Sequence, residues 1–348
     1  MIININLNKR IDDSYNIYIG NLDRLTFDMK VAIVTNKTIA ALHLEKLRSL
    51  IVAPEIGEAI IEDGEQHKNL ATIGAILDRL CDLRLDRKSL LIAFGGGVIG
   101  DMTGFCAAIY QRGVSFIQIP TTLLAMVDAS AGGKTGVNND YGKNLIGAFN
   151  QPKSVHIDTK WLTSLPRREF NSGAAEIVKM AATLDREFFE RLESANLSDE
   201  RELIAAIAQS IHLKADIVMR DEKESGARAA LNYGHTFGHA IEKESGYGAY
   251  LHGECVAMGM IMANRLAEAL ELIREKEAQR IERALERFGL SARYKTPNPE
   301  AFYDLLFLDK KTRDNKITFA LPRSIGGYSL VSDIPKELVI SAIAKGGE

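Results

Sequence analysis

Short apolar runs alternate with helical patterns through the first half of the chain. The runs of strand length are 31–35, 59–61, 89–94, 114–119 and 155–158. Residues 2–8 alternate apolar and polar, which is typical of a half-buried strand. Between the second and third runs, Leu70, Ile73, Leu77 and Leu80 recur at helical spacing. Strands that alternate with helices indicate βαβ units, so the pattern predicts an α/β domain with a mostly parallel sheet.

The second half is predominantly helical. The predicted helices cover 173–184, 204–218, 252–272 and 275–288. The first of them is apolar nearly all round, which is typical of a buried helix, and Met258, Met260 and Met262 of the third are expected in the core. The change of pattern predicts two domains, an α/β domain at 1–165 and a mainly helical domain at 166–348.

Composition and charge exclude several classes of protein. The 348 residues suffice for two domains, and their net charge of −3 is not that of a nucleic-acid-binding protein. No apolar run is long and uninterrupted enough to span a bilayer. The first residues lack the basic and apolar segments of a secretory signal. Cys81, Cys106 and Cys255 lie far apart among apolar neighbours, so we expect reduced, buried thiols in a cytoplasmic protein.

A glycine-rich segment, Gly95–Asp101, satisfies G-x-G-x-x-G directly after a strand and before a helix. Its glycines would let the backbone approach a pyrophosphate at the helix N-terminus. The acidic residue that usually follows about twenty positions later is missing, and a tight turn is the alternative. Thr121 and Thr122 end the next strand, and Glu65 and Lys68 follow another. Because these strand ends share one rim of a parallel sheet, nucleotide binding is favoured.

Two further glycine-containing segments carry lysines. Asp128–Lys134 is similar to the tail of a P-loop, but Asp128 stands where a Walker A motif requires glycine. We therefore predict a loop that presents Asp128 and Lys134, and a second loop at 141–144 that presents Lys143. Such lysines are usually solvated, but backbone N–H groups of neighbouring glycines favour contact with an anion.

Histidines cluster near the middle of the chain. Arg228, Asn232, His235 and His239 are spaced 4, 3 and 4 apart, which predicts one polar face of a single helix. His252 opens the apolar helix that follows. Imidazoles that occur together indicate a transition-metal site. The alternative is a solvated face, or histidines paired with carboxylates.

Charged residues interrupt two predicted core helices. Glu176 and Lys179 share a face of the helix at 173–184. They either form an i, i+3 ion pair, or Glu176 binds a metal and Lys179 a substrate anion. Lys214 interrupts the apolar stripe of the next helix, so it either extends to solvent or points into a cavity.

These residues combine into a candidate site. Glu176, His235 and His252 would give two histidines and one carboxylate with a coordination position left open, as a catalytic zinc site requires. The cations expected around them are Lys134, Lys143, Lys179, Lys214 and Arg228. So many cations suit a small substrate with more than one anionic group. A nucleotide beside a Lewis acid suggests hydride transfer at an alcohol carbon.

As an ordered set, these segments resemble the 3-dehydroquinate synthase family over nearly the whole chain. The segments that carry the resemblance are Gly95–Asp101, Tyr110–Gly113, Pro120–Leu124, Asp128–Lys134, Gly142–Asn144, Ala175–Lys179, Leu231–His239 and Leu251–Glu254. The resemblance implies an N-terminal Rossmann-like domain, a C-terminal helical domain and an active site in the cleft between them. It also implies a homodimer that uses NAD and a divalent metal, zinc or cobalt.

The implied reaction belongs to the shikimate pathway. It converts 3-deoxy-D-arabino-heptulosonate 7-phosphate to 3-dehydroquinate and phosphate. The steps are transient NAD-mediated oxidation, phosphate elimination, re-reduction, ring opening and intramolecular aldol closure. NAD is then a catalyst and is not consumed.

The resemblance also implies roles for individual residues. It implies that the metal is held by Glu176, His235 and His252. It implies catalytic roles for Asp128, Lys134, Asn144, Lys179 and His239, so that His239 is not expected as a ligand. Substrate contacts are implied for Arg112 from the partner subunit, Lys214, Arg228, Asn232 and either Lys310 or Lys311. The implied NAD site consists of Asp63, Gly64, Glu65, Lys68, Gly97, Val98, Ile99, Gly100, Asp101, Thr121, Thr122, Lys134 and Lys143.

Three other interpretations compete with this one. A related sugar phosphate cyclase would act on a neutral sugar phosphate, against which Lys214, Arg228 and Asn232 argue. A metal-dependent polyol dehydrogenase would consume NAD stoichiometrically and would not need so many cations. A non-catalytic binding protein would gain nothing from charged groups that are costly to bury.

Overall fold

The computed structural model describes residues 12–223, 226–246, 248–290, 293–308 and 317–347. The strand predicted at 2–8 lies outside these residues. The strands are β1 Asn16–Ile19, β2 Leu25–Thr26, β3 Val31–Asn36, β4 Ile51–Val52, β5 Ile56–Ile61, β6 Leu90–Gly95, β7 Ser115–Pro120, β8 Lys134–Asn139, β9 Gly142–Phe149, β10 Ser154–Ile157, β11 Phe319–Ser324 and β12 Gly327–Val331.

The helices follow the same order along the chain. They are α1 Lys37–Ile39, α2 Glu45–Ser49, α3 Leu70–Asp82, α4 Gly97–Ile109, α5 Arg167–Leu184, α6 Arg186–Leu192, α7 Glu200–Arg220, α8 His235–Glu244, α9 His252–Ala269, α10 Glu275–Arg287, α11 Pro299–Leu305 and α12 Lys336–Lys345. In the described part of the chain, no helix is both long and apolar enough to cross a membrane.

The N-terminal part is built on a parallel sheet. Among the described residues it has six strands in the order β1-β10-β7-β6-β3-β5, and every neighbouring pair is parallel. The two strands β3 and β6 are buried along their whole length, which is why they appear in the sequence as uninterrupted apolar runs. The predicted N-terminal α/β domain and C-terminal helical domain are confirmed, whereas their division at residue 165 stays a prediction.

The two predicted loops are present but shorter than expected, and neither contains its lysine. Residues 130–133 form the turn after Asp128, where Gly132 and Gly133 have positive φ, and 140–141 form a second turn. Lys134 begins β8 and Lys143 lies near the start of β9, and the two strands pair as an antiparallel hairpin. Glycines inside the hairpin let its strands pair closely: a Cβ added to Gly147 would lie 2.0 Å from the carbonyl oxygen of Thr135. The hairpin, residues 134–149, packs its Val137 side against α4.

The single helix predicted through Arg228, Asn232, His235 and His239 is also wrong. A 3₁₀ helix covers Ala227–Asn232, and α8 begins only at His235. Between them Gly234 has φ = 78°, a left-handed conformation that breaks the helix. Arg228 and Asn232 therefore do not share one helical face with the histidines.

Helix α9 is the centre of the C-terminal core. Met258, Met260 and Met262 are buried, as predicted, and α9 packs against α5, α8, α10 and α12. Cys255 on α9 and Cys106 on α4 are buried too, and burial raises the pKa of both thiols to about 12. Cys81 is exposed, contrary to prediction, because it follows the buried Leu80 by one residue and so faces away from the core.

Replacing Gly234 by alanine is expected to lower the free energy of unfolding by at least about 2 kcal/mol. The added Cβ would strain the left-handed backbone and would lie 2.6 Å from Met260 Cγ and 2.7 Å from the Val256 carbonyl oxygen. Urea denaturation measures the change. Gly74→Ala on α3 is the control: nothing lies within 4 Å of its added Cβ, so it should stabilise by up to about 1 kcal/mol. Equal effects of both changes would contradict the role given to Gly234.

Candidate active site

Three side chains from three helices converge on one point. Glu176 lies on the buried helix α5, while His235 and His252 are the first residues of α8 and α9. Glu176 Oε1 lies 3.5 Å from His235 Nε2 and 3.9 Å from His252 Nε2. The three ligand atoms lie within 4.8 Å of one another, which suits a single metal ion.

The two histidines are oriented by their other ring nitrogens. His235 Nδ1 lies 3.2 Å from the carbonyl oxygen of Tyr233, and His252 Nδ1 lies 3.0 Å from Glu242 Oε1. A neutral imidazole donates from one nitrogen and accepts at the other. Donation from Nδ1 to these oxygens leaves both Nε2 lone pairs directed towards Glu176. Metal-binding histidines commonly have such partners.

The surroundings of Glu176 are themselves suited to a cation. Its side chain is fully buried, and its Oε2 meets the ammonium group of Lys179 one turn along α5. Both carboxylate oxygens are buried, and among the described residues neither has a hydrogen-bond partner. A buried anionic oxygen that faces two imidazoles is suited to a metal ion. The ion pair predicted as the alternative is therefore present, and it leaves Oε1 for a ligand.

A second set of potential ligands consists of His239, Glu242 and His252. Glu242 Oε1 already lies 3.0 Å from both His252 Nδ1 and Lys143 Nζ. Burial alone would raise the pKa of Glu242, but the hydrogen bond with His252 and the charge of Lys143 lower it to about 2. Because Glu242 is already paired with two donors, we assign the metal position to the Glu176 set.

Lys214 points into the interior and pairs with Asp128. Its ammonium group donates to the Asp128 carbonyl oxygen at 2.6 Å and to Oδ1 at 2.8 Å. Burial opposes ionisation of Asp128, yet Lys214 and Lys179 hold its pKa below the usual range. Lys214 is therefore buried, and the interpretation as a solvent-directed side chain is wrong, while its contact with a substrate stays a prediction.

Arg228 is buried against the turn that follows Asp128. Its guanidinium group donates to the carbonyl oxygens of Gly132, at 3.3 Å, and Glu222, at 2.7 Å. Asp221 fixes the backbone nearby by accepting from the Arg228 N–H group. Carbonyl acceptors do not cancel a guanidinium charge, so Arg228 remains able to attract an anion.

The predicted nucleotide rim lies at the carboxyl ends of β5, β6 and β7. Helix α4 begins at Gly97, two residues after β6 ends, so its N-terminus meets this rim. Lys68 is buried there and donates to Asp101 Oδ2 at 2.5 Å and to Asn144 Oδ1 at 2.6 Å. Thr121 is buried in the same region, and its hydroxyl has no hydrogen-bond partner among the described residues.

The remaining predicted residues divide into three groups. His239 lies one turn after His235, with ring centroids 5.6 Å apart, and Asn232 ends the preceding 3₁₀ helix. Arg112 is exposed and follows the far end of α4, whose 13 residues separate it from Gly97 by about 20 Å. The structure therefore does not bring Arg112 into this site. Lys310 and Lys311 lie outside the described residues.

Sequence reasoning missed Glu242, which links both halves of the site. It contacts His252 in the C-terminal domain and Lys143 on the hairpin of the N-terminal domain. The available signal was its spacing, since Glu242 follows His235 by seven residues and His239 by three on the same helix.

Comparisons with known proteins agree over the whole chain. Models of the N-terminal and C-terminal parts of 3-dehydroquinate synthase match residues 58–172 and 173–312. A 3-dehydroquinate synthase from Sulfurovum sp. is 55% identical over 99% of both chains. The structure of 2-epi-5-epi-valiolone synthase from Streptomyces hygroscopicus, with NAD⁺ and Zn²⁺ bound, is 25% identical, with a TM-score of 0.89 and 99% of each chain covered.

A 2-deoxy-scyllo-inosose synthase is also similar in structure. It was solved with carbaglucose-6-phosphate, NAD⁺ and Co²⁺. It is 28% identical to this chain, with a TM-score of 0.81 and coverage of 92% of this chain and 91% of that one. On the strength of both domain matches and the full-length relative, the chain belongs to the 3-dehydroquinate synthase family.

Proposed function

We propose that this chain converts 3-deoxy-D-arabino-heptulosonate 7-phosphate to 3-dehydroquinate and phosphate, as a phosphorus–oxygen lyase. The observation that carries the proposal is the convergence of Glu176 Oε1 with the Nε2 atoms of His235 and His252. The full-length relative has this activity in its name, and the two solved relatives were described with NAD⁺ and with Zn²⁺ or Co²⁺. We infer that NAD and one such metal are the cofactors here.

Glu176, His235 and His252 would hold the metal. When both cofactors are bound, NAD⁺ would accept and later return a hydride at the substrate carbinol, and the metal would stabilise negative charge on the carbinol oxygen. Glu176 and Lys179 are buried, so their charges interact strongly. Lys179 compensates the charge of Glu176, and we assign it to contact the reacting oxygens.

The other charged residues bind and orient the substrate. We propose that Arg228 and Asn232 bind the substrate carboxylate. We propose that Lys214, held by Asp128, binds a further anionic group or hydroxyl of the substrate. Lys134, Asn144 and His239 are assigned to the phosphate end. The substrate's own phosphate can remove the acidic proton before it leaves, so these residues need only position it. Holding both ends of the substrate also favours the final intramolecular ring closure.

The NAD site is assigned to the rim beyond β5, β6 and β7. The pyrophosphate would lie at the N-terminus of α4, over Gly97–Asp101. Lys68 and Lys143 supply positive charge, and Thr121 and Thr122 supply hydroxyls. The segment Asp63–Glu65 would contact the ribose, since Glu65 is fixed by a 2.7 Å hydrogen bond from Asn138.

We further propose a cytoplasmic homodimer in which Arg112 reaches the partner's phosphate site. Arg112 is exposed and distant from this chain's own site. The hairpin next to α4 also exposes apolar side chains, including Tyr141, Leu145 and Phe149. Exposed apolar side chains and an exposed arginine on the same domain support contact with a second copy. The unpaired thiols of Cys106 and Cys255 are typical of a reducing compartment.

Phosphate release from the heptulosonate phosphate, with NAD⁺ far below the substrate concentration and with zinc present, tests the proposed function. Many phosphates per NAD⁺ are expected, and both chelation and His235→Ala should abolish release. Stoichiometric reduction of NAD⁺ by a polyol, without phosphate release, would instead identify a dehydrogenase. Binding of NAD⁺ and zinc without any turnover would contradict an enzymatic role.

A further inference from the structure

One buried carboxylate oxygen joins the two domains at the candidate metal site. Glu242 Oε1 lies 3.0 Å from His252 Nδ1 and 3.0 Å from Lys143 Nζ. The Glu242 side chain is 5% exposed. His252 is an assigned metal ligand on α9, and Lys143 belongs to the hairpin that packs on α4. The same atom therefore serves a C-terminal ligand and an N-terminal lysine.

Glu242 determines how His252 presents its free nitrogen. Donation from Nδ1–H to a carboxylate fixes the tautomer and the ring orientation, and it increases electron density on Nε2. His235 differs, because its Nδ1 faces the neutral carbonyl oxygen of Tyr233. At Nδ1, His252 therefore has a charged carboxylate as its partner, where His235 has a neutral carbonyl oxygen.

Lys143, on the side of the proposed NAD site, contacts the same Glu242 oxygen. Its neighbour Asn144 accepts a hydrogen bond from Lys68, which also donates to Asp101. This part of the hairpin is thus anchored to residues assigned to NAD, while Lys143 itself reaches Glu242. The positive charge of Lys143 beside Glu242 reduces the electron density that the carboxylate can lend to His252.

We propose that Glu242 is a positioning residue that fixes His252 as a metal ligand, and that Lys143 modulates metal affinity through Glu242. This inference rests on the proposed function, because it takes Glu176, His235 and His252 as the metal site. It adds a residue that does not contact the metal, and it gives Lys143 a role that is independent of NAD.

The test is titration of the metal-free protein with Co²⁺, without NAD⁺ or substrate. Binding is monitored by calorimetry and by the ligand-field absorption of bound Co²⁺. Glu242→Gln should bind about 10- to 100-fold more weakly and should alter the absorption bands. Glu244→Gln is the matched control on the same helix. Glu244 accepts hydrogen bonds from Tyr294 and Thr296 and, among the described residues, contacts no histidine, so the Co²⁺ affinity and spectrum of this variant should not change.

Lys143→Gln tests the second half of the proposal. It should tighten Co²⁺ binding by roughly three- to tenfold, because it removes a cation that competes for Glu242. In a Glu242→Gln background the same change should have a much smaller effect, since the carboxylate that Lys143 contacts is gone. An equal effect in both backgrounds would overturn the role of Lys143. Glu242→Gln that binds Co²⁺ as tightly as Glu244→Gln would overturn the role of Glu242.

Glu176→Gln separates this inference from the proposed function. If the unaltered protein binds Co²⁺, if Glu176→Gln abolishes binding and if Glu242→Gln has no effect, the metal site stands and the inference fails. If the unaltered protein binds no Co²⁺, both the metal site and the inference are overturned.

Discussion

Replacing Glu176 by glutamine is expected to reduce phosphate release by about 10³-fold or more and to weaken metal binding severely. Glutamine keeps the volume of the side chain but removes the charge from the one buried oxygen that faces both His235 Nε2 and His252 Nε2. Metal stabilisation of a developing oxyanion contributes several kcal/mol, which corresponds to a rate loss of this order. Steady-state phosphate release and a metal titration measure the two effects.

The same substitution should also destabilise the fold. Lys179 is 2% exposed and has the Glu176 carboxylate as its ion-pair partner, so Glu176→Gln leaves a buried ammonium group without that partner. Breaking such a pair costs about 3–5 kcal/mol. Adding Lys179→Met should restore most of the stability in urea denaturation without restoring metal binding. Metal binding is the decisive measurement, because Lys179 is itself assigned to the catalytic site.

The contrary result is equally clear. If Glu176→Gln loses stability but binds metal as the unaltered protein does, Glu176 is only the structural partner of Lys179. The site would then need another ligand, and the set of His239, Glu242 and His252 would become the better candidate.

The parallel sheet was predictable because its central strands are buried on both faces. Such strands are mostly apolar, so β3, β6 and β7 stand out as runs rich in hydrophobic residues. Their order in the sheet was not predictable from these runs, since β1 pairs with β10, more than a hundred residues later. Pairing at that separation depends on tertiary packing, which leaves no local periodicity.

The errors came from glycines, whose role depends on their neighbours. Gly136 and Gly147 pair directly across the hairpin, where larger residues would meet the opposite backbone, although Gly136 follows a glycine-containing segment that predicted only a loop. Gly234 separates two helices, whereas the spacing of the polar residues around it predicted one. A glycine in a sequence indicates either a backbone conformation that other residues rarely adopt or a close approach of another chain segment, but it does not show which of the two applies.

The candidate site was predictable where chemistry is concentrated in short segments. The segments around Glu176 and His235 carry charged or imidazole groups in apolar surroundings, and that contrast is visible without a structure. Glu242 was not found because it lies in the charged stretch 242–244, which has the composition of a solvated helix end. Only the packing of α8 against α9 brings it to His252.

Replacing Arg228 by methionine is expected to lower kcat/KM for the heptulosonate phosphate by about 10²-fold or more, while NAD⁺ and metal affinities stay nearly unchanged. The Arg228 side chain is buried, and its bonds to Gly132 and Glu222 are to neutral carbonyl oxygens, so its charge is available to a substrate carboxylate. A charge-assisted, two-pronged contact of this kind contributes about 3 kcal/mol. Arg228→Lys should recover only part of the loss, because it keeps the charge without the planar fork.

Arg228 also supports the turn at Gly132, so the experiment must separate recognition from structure. A substrate analogue that lacks the carboxylate provides the comparison: Arg228→Met should weaken its binding little, while it weakens the carboxylate-bearing substrate strongly. Thermal unfolding checks that the fold is retained. Equal losses for both compounds would mean that Arg228 acts by holding the turn. The site would then no longer discriminate against a neutral sugar phosphate, and the argument for a carboxylate-bearing substrate over the substrates of related cyclases would rest on Lys214 and Asn232 alone.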